Sequence, residues 1–79
     1  MNKFFIKIDS VDKVKDFCNK TFKVDFSLDL HSGRYVIDGK SIMGIFSLDL
    51  SKKIEVVVHC DDRDKVEEFK ETIKEYVVK

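Results

Sequence analysis

Proline is absent from this chain, glycine occurs three times and cysteine twice. With no proline, no low-complexity tract and no linker, nothing divides the 79 residues, and 1–79 read as one domain. A domain this small buries only about 60% of the surface its unfolded chain exposes, so most large apolar residues must serve one core. An excess of charge of either sign is also missing: 15 Lys and Arg balance 15 Asp and Glu. That balance argues against a general nucleic-acid binder, which needs a basic surplus against phosphate. No apolar run approaches the ~20 residues that cross a bilayer. The opening MNKFFIKIDS returns at once to charge and lacks the apolar stretch of a secretory signal. Cys18 and Cys60 follow no disulfide pattern, and the expectation is two reduced thiols in the cytoplasm.

What is present is a succession of short amphipathic elements. Phe4, Ile6 and Ile8 alternate with Phe5, Lys7 and Asp9, the period of a strand. Ser10 then stands before a helical run in which Val11, Val14, Phe17 and Cys18 share a face, predicting a capped helix over about 11–20. Val24, Phe26, Leu28 and Leu30 alternate with polar residues as a half-buried strand. His31-Ser32-Gly33-Arg34 turns it into Tyr35-Val36-Ile37, and Asp38-Gly39 ends the hairpin. A short helix opened by Ser41 follows, then a strand through Ile54, Val56 and Val58. From Asp61 to Lys79 the spacing of Val66, Phe69, Ile73 and Val77 reads as a last helix. The order βαββαβα predicts an α+β open-faced sandwich, a four-stranded antiparallel sheet with three helices on one face and its polar face in water.

The string FSLDL occurs at Phe26–Leu30 and again at Phe46–Leu50. Its flanks differ, one copy lying in an alternating run and the other after an irregular apolar stretch, so it does not mark a repeat.

Catalytic signals are thin. His59-Cys60-Asp61-Asp62 gathers potential ligands, but a zinc site needs about four in tetrahedral array, and adjacent strand residues face opposite ways. Only His31 is left to join them, and an aspartate here reads better as the cap of the last helix. Cys18 lies on an apolar stripe, where a thiol is buried and inert. The three glycines form no phosphate loop. These residues predict no catalytic group, metal or cofactor.

The most specific stretch is Lys40-Ser41-Ile42-Met43-Gly44-Ile45-Phe46-Ser47-Leu48. It resembles the KSIMG-(V/I)-(M/L)-SL segment of HPr, the phosphocarrier family of the bacterial sugar phosphotransferase system, in its Gram-positive form. The likeness covers the chain from about Lys13 and implies the HPr-like open-faced sandwich, with this segment as its middle helix. It implies a regulatory phosphorylation at Ser41 by an ATP-dependent HPr kinase. It also implies a partner surface of Lys40, Ile42, Met43 and Phe46 for phosphotransferase-system components, that kinase or a catabolite-control regulator. A phosphate on Ser41 would add about −1.5 to −2 charges beside an apolar patch.

The family's relay histidine lies in G-(I/L)-H-(A/T)-R-P-A at the start of the first helix. Here that stretch is Ile8-Asp9-Ser10-Val11-Asp12-Lys13-Val14, with no histidine, arginine or proline. A serine phosphoester is too stable to pass its group on, so the resemblance implies an HPr-like regulatory or interaction module without the phosphorelay. Asp49 also stands where the family often has glycine, and an extra residue precedes Lys40. The alternative is an assembly domain that dimerises through Ile42, Met43 and Phe46 with no phosphate chemistry. A small enzyme built on His59 and Cys60 ranks last.

Overall fold

The computed structural model describes residues 2–78. Its elements are β1 (Asn2–Ile6), α1 (Val11–Thr21), β2 (Ser27–Ser32), β3 (Tyr35–Asp38), α2 (Ile42–Phe46), β4 (Ile54–His59), α3 (Arg63–Thr72) and β5 (Val77–Val78). The strands form one sheet in the order β3-β2-β4-β1-β5, every neighbouring pair antiparallel. The three helices contribute Val14, Phe17, Ile45, Val66 and Phe69 to a single core with the inward residues of the sheet, chiefly Phe4, Ile6, Leu28, Leu30, Val56 and Val58. This is the α+β open-faced sandwich that the residue pattern predicts.

Each helix begins where its sequence supplies an acceptor. Ser10 Oγ accepts from the Lys13 amide at 3.2 Å, Ser41 Oγ from the Gly44 amide at 3.2 Å, and Asp62 Oδ1 from the Asp64 amide at 3.0 Å. These are the N-terminal N–H groups that a helix cannot satisfy internally. The β2–β3 hairpin closes through Gly33-Arg34, with Ser32 opposite Tyr35. Gly33 has φ +59, and a two-residue hairpin loop with glycine in this region at its first position is the II′ pattern.

Four features differ from the sequence pattern. The sheet has five strands, because the last helix stops at Thr72 and Val77 pairs with Ile6 as a strand. Val77 fits a helical period from Ile73, yet Val77 and Val78 are β-branched, and β1 offers an outer edge to pair. Lys7 extends that pairing by donating its amide to the Tyr76 carbonyl at 2.9 Å. The predicted end of that helix, Lys79, lies outside the described residues. Second, β1 ends at Ile6, although Ile8 is fully buried beyond it. Third, Val24 and Phe26 precede β2 rather than belonging to it. Fourth, Val57 points to the open face and is nonetheless buried. It sits on the central strand, flanked in register by Lys3 and Asp29.

Candidate functional site

The region around α2 is built from two tied ends and an exposed middle. Ahead of the helix, the Asp38 carboxylate accepts from the Lys40 amide at 2.9 Å, and the Asp38 carbonyl accepts from the Ser41 amide at 3.0 Å. Lys40 Nζ reaches back to donate to the Val24 carbonyl at 2.9 Å. The Lys40 ammonium is therefore engaged within the chain and fixes the approach to α2. Behind the helix, Asp49 Oδ1 accepts from the amide and hydroxyl of Ser51 at 3.1 and 2.6 Å. Those bonds hold the Asp49 carboxyl below its ordinary range. The residue that breaks the HPr pattern thus builds its own turn.

Between these ties, Ile45 is fully buried and anchors α2, which packs against α1 and β3. Ser41 is half-buried at the N-cap with extended backbone. Met43 is 76% exposed and Phe46 37%, while Ile42 is half-buried against the core. The structure brings Lys40, Ser41, Ile42, Met43 and Phe46 into one continuous segment, with Met43 and Phe46 as its apolar projection. A residue exposed like Met43 adds little to folding, so Met43→Ser should leave the unfolding free energy from urea titration unchanged within about 0.5 kcal/mol. A larger loss would show that Met43 belongs to the core.

The start of α1 has a different character. Asp9 pairs with Lys13 at 2.8 Å, and that hydrogen bond holds the Asp9 carboxyl below its ordinary range. Asp12 adds a second carboxylate in the first turn. The helix terminus that would favour an anion is already supplied by Ser10 and flanked by negative charge.

His31 and Cys18 do not join the adjacent His59 and Cys60, which line one shallow surface pocket with Val58 and Asp61. His59 Nε2 lies 2.7 Å from Asp29 Oδ2 across the open face of the sheet. His31 pairs in register with Glu55, four residues from His59 along β4, about 13 Å of strand. Among the described residues, no three His, Cys, Asp or Glu side chains gather to hold a metal. Cys18 is buried, and burial pushes its thiol pKa up. Cys60 packs against the core with its Sγ 3.7 Å from the Asp62 carbonyl oxygen.

One group was silent in the sequence. The Tyr76 hydroxyl donates to Asp16, Lys20 Nζ lies 2.9 Å from the same carboxylate and 3.3 Å from Glu75, and the ammonium sits 5.6 Å from the Tyr76 ring centre. This cluster clamps α1 to the segment before β5. Next to it, a groove of about 530 Å³ runs between α1 and α3, floored by Phe26 and Phe69 packed edge to face at 5.7 Å. A Lys65–Asp25 pair at 3.0 Å lies along it. Among the described residues no helix is long and apolar enough to cross a membrane.

The PTS-HPr family, described as the PTS HPr component phosphorylation site, matches residues 12–78. No curated protein sequence matches. Among solved structures, HPr-C-His from Thermoanaerobacter tengcongensis is similar with a TM-score of 0.74 at 20% identity, over 94% of this chain and 92% of that one. The phosphocarrier protein HPr from Bacillus anthracis str. Ames gives 0.72 at 19% identity, over 98% and 96%. The histidine-containing phosphocarrier protein of Mycoplasma gives 0.71 at 16% identity, over 94% and 93%. At such identities the likeness to these structures is one of fold.

Proposed function

This chain belongs to the HPr family of the phosphotransferase system, and from that premise we propose that it is a cytoplasmic regulatory or interaction module of that system rather than a histidine phosphocarrier. The observation that carries this reading is the start of α1. A phosphorelay at a helix N-terminus needs an imidazole nucleophile there and a neutral or basic setting for the incoming phosphoryl group. Residues 8–14 contain no histidine, Ser10 Oγ is committed to the Lys13 amide, and Asp9 and Asp12 repel a phosphorylated donor.

In the same proposal, α2 is the working surface. Met43 and Phe46 present apolar area, Ile42 borders it, and Lys40 sets the height of the helix through its bond to Val24. Ser41 is the regulatory phosphorylation site. A phosphate on its Oγ replaces a neutral acceptor with about −1.5 to −2 charges beside that apolar projection. A partner reading charge and apolar patch together would distinguish the two states. Phosphotransferase-system components, HPr kinase and a catabolite-control regulator are the partner classes that suit it. The exposure of Met43 also suits the second reading, self-association through Ile42, Met43 and Phe46.

Incubation with enzyme I and phosphoenolpyruvate should leave the chain unlabelled. HPr kinase with ATP should label it once, and Ser41→Ala should abolish that label. Phosphoryl transfer to His31 or His59 defeats the first claim, and label persisting in Ser41→Ala removes Ser41 from the second.

A further inference from the structure

Beyond the α2 surface, we propose that a second copy of this chain pairs with the free edge of β3, joining two sheets through an antiparallel β3–β3 seam centred on Val36. β3 ends the sheet, with β2 on one side only. Its exposed state is direct: Tyr35 is 69% and Val36 58% accessible. The ladder alternation fixes which backbone groups face outward. Gly39 donates to the Leu28 carbonyl at 2.8 Å, and Leu28 and Gly39 continue the register in which Leu30 opposes Ile37 and Ser32 opposes Tyr35. Those are the mutually bonded pairs of the antiparallel ladder, so the amide and carbonyl of Val36 point away from β2. Unpaired edge groups of this kind are the template for adding a strand.

The residues that flank Val36 suit a second copy of the same strand. A two-fold axis at Val36 brings Arg34, the turn residue just ahead of β3, in one copy up to Asp38 of the other, twice, and sets Tyr35 opposite Ile37, also twice. The polar pairs are of opposite charge, and the apolar pairs join an aromatic to a β-branched residue. Both kinds stabilise antiparallel strands. A shift of two residues either way sets Arg34 or Asp38 against Val36 and loses both ion pairs. A shift of four sets like charges together. The strand is thus complementary to itself in one register. Charged residues usually blunt a sheet edge, but here the two signs are placed so that a reversed copy satisfies them. Because β3 has only four residues, the seam is far smaller than the ~1,600 Å² of a standard interface, and the dimer is weak and concentration-dependent.

Sedimentation equilibrium up to about 1 mM chain tests this. The wild-type chain should show a reversible monomer–dimer equilibrium. Arg34→Glu alone and Asp38→Lys alone should each weaken it by about tenfold or more, since each turns two attractions into two repulsions. An equimolar mixture of the two variants should recover the wild-type association, because each copy then offers the charge that the other lacks. Asp38 also accepts from the Lys40 amide, so circular dichroism accompanies that variant. Val36→Lys, which touches no bond within the chain, is the independent control and should be monomeric. A monomeric wild-type chain at 1 mM, a dimer that survives both single reversals, or a mixture that fails to re-associate overturns the proposal. A dimer lost in Met43→Ser but not in Val36→Lys assigns self-association to α2 instead.

Discussion

Gly39→Ala should lower the melting temperature by about 10–20 °C, a loss of about 2–3 kcal/mol in a domain of this size. Gly39 is buried, with the β2 backbone close against it. A Cβ there would lie 2.6 and 2.7 Å from the Leu28 side chain and 3.1 Å from the Leu28 carbonyl oxygen. Leu28 is fully buried in the centre of the core, so its side chain has nowhere to retreat. The remaining route is to push the Asp38–Lys40 segment outward, which breaks the Gly39–Leu28 bond and strains the Lys40–Val24 bond. Overpacking therefore reaches the base of α2 as well as the core. Thermal unfolding followed by circular dichroism reads the stability, and a shift under 2 °C would mean that β2 and β3 yield more readily than the close approach implies.

Tyr76→Phe is the second large effect, and its signature is pH. The hydroxyl donates to Asp16, and a hydrogen bond to a charged acceptor contributes about 1.5–3 kcal/mol; the lower end applies because Asp16 remains partly in water. The Tyr76 hydroxyl, then Lys20, holds the Asp16 carboxyl below its ordinary 3.8. A depressed carboxyl pKa contributes stability that is complete above the unfolded value and is lost as pH falls through the folded one. Burial first, and Asp16 second, push the Tyr76 pKa up from 10.0, so the phenol's contribution is complete below that value and is lost as pH rises through the raised one. The wild-type advantage over Tyr76→Phe should thus be full across neutral pH and shrink in acid below 3.8. Urea unfolding at pH 7 and pH 2.5 measures it. An advantage of equal size at both would show that the hydroxyl acts through packing and not through the Asp16 charge.

These two residues also mark where the sequence stopped being readable. Ser10, Ser41 and one of the pair Asp61-Asp62 were legible as caps because capping is settled within three residues of the cap; the structure makes it Asp62. The core strands were legible because Leu28 and Leu30, or Val56 and Val58, keep strict alternation. The two copies of FSLDL separate as their flanks indicate. In the first, Phe26, Leu28 and Leu30 are buried; in the second, Phe46 is exposed, Leu48 buried and Leu50 half-buried around a helix end. What stayed hidden depends on distance in the chain. Asp16 and Tyr76 meet across 60 residues, Lys40 and Val24 across 16, and neither residue type announces its partner. Val77 misled because one residue can satisfy a helical period and still be drawn into a strand by an unpaired edge.

The α2 segment was legible as a unit through Ser41 as its opening residue and through its likeness to the HPr segment, since its apolar residues keep no clear period. The setting of Lys40 was not. A lysine beside an exposed apolar patch reads as a binding charge, whereas its ammonium is bonded to a backbone carbonyl of the neighbouring loop. Its removal should disturb the position of α2 as much as the charge of the surface.

The place of β1 in the sheet carries a consequence for synthesis. β1 lies between β4 and β5, the two latest strands in the chain. Phe4 and Ile6 are thus made before their register partners Val56 and Ile54, which arrive some fifty residues later. At ~5–20 residues per second, that apolar strand waits about 3–10 s for its neighbour. The nascent chain can form the β2–β3 hairpin in that interval but cannot close its sheet, so an emerging Phe4-Phe5-Ile6 is the segment most in need of a chaperone's cover.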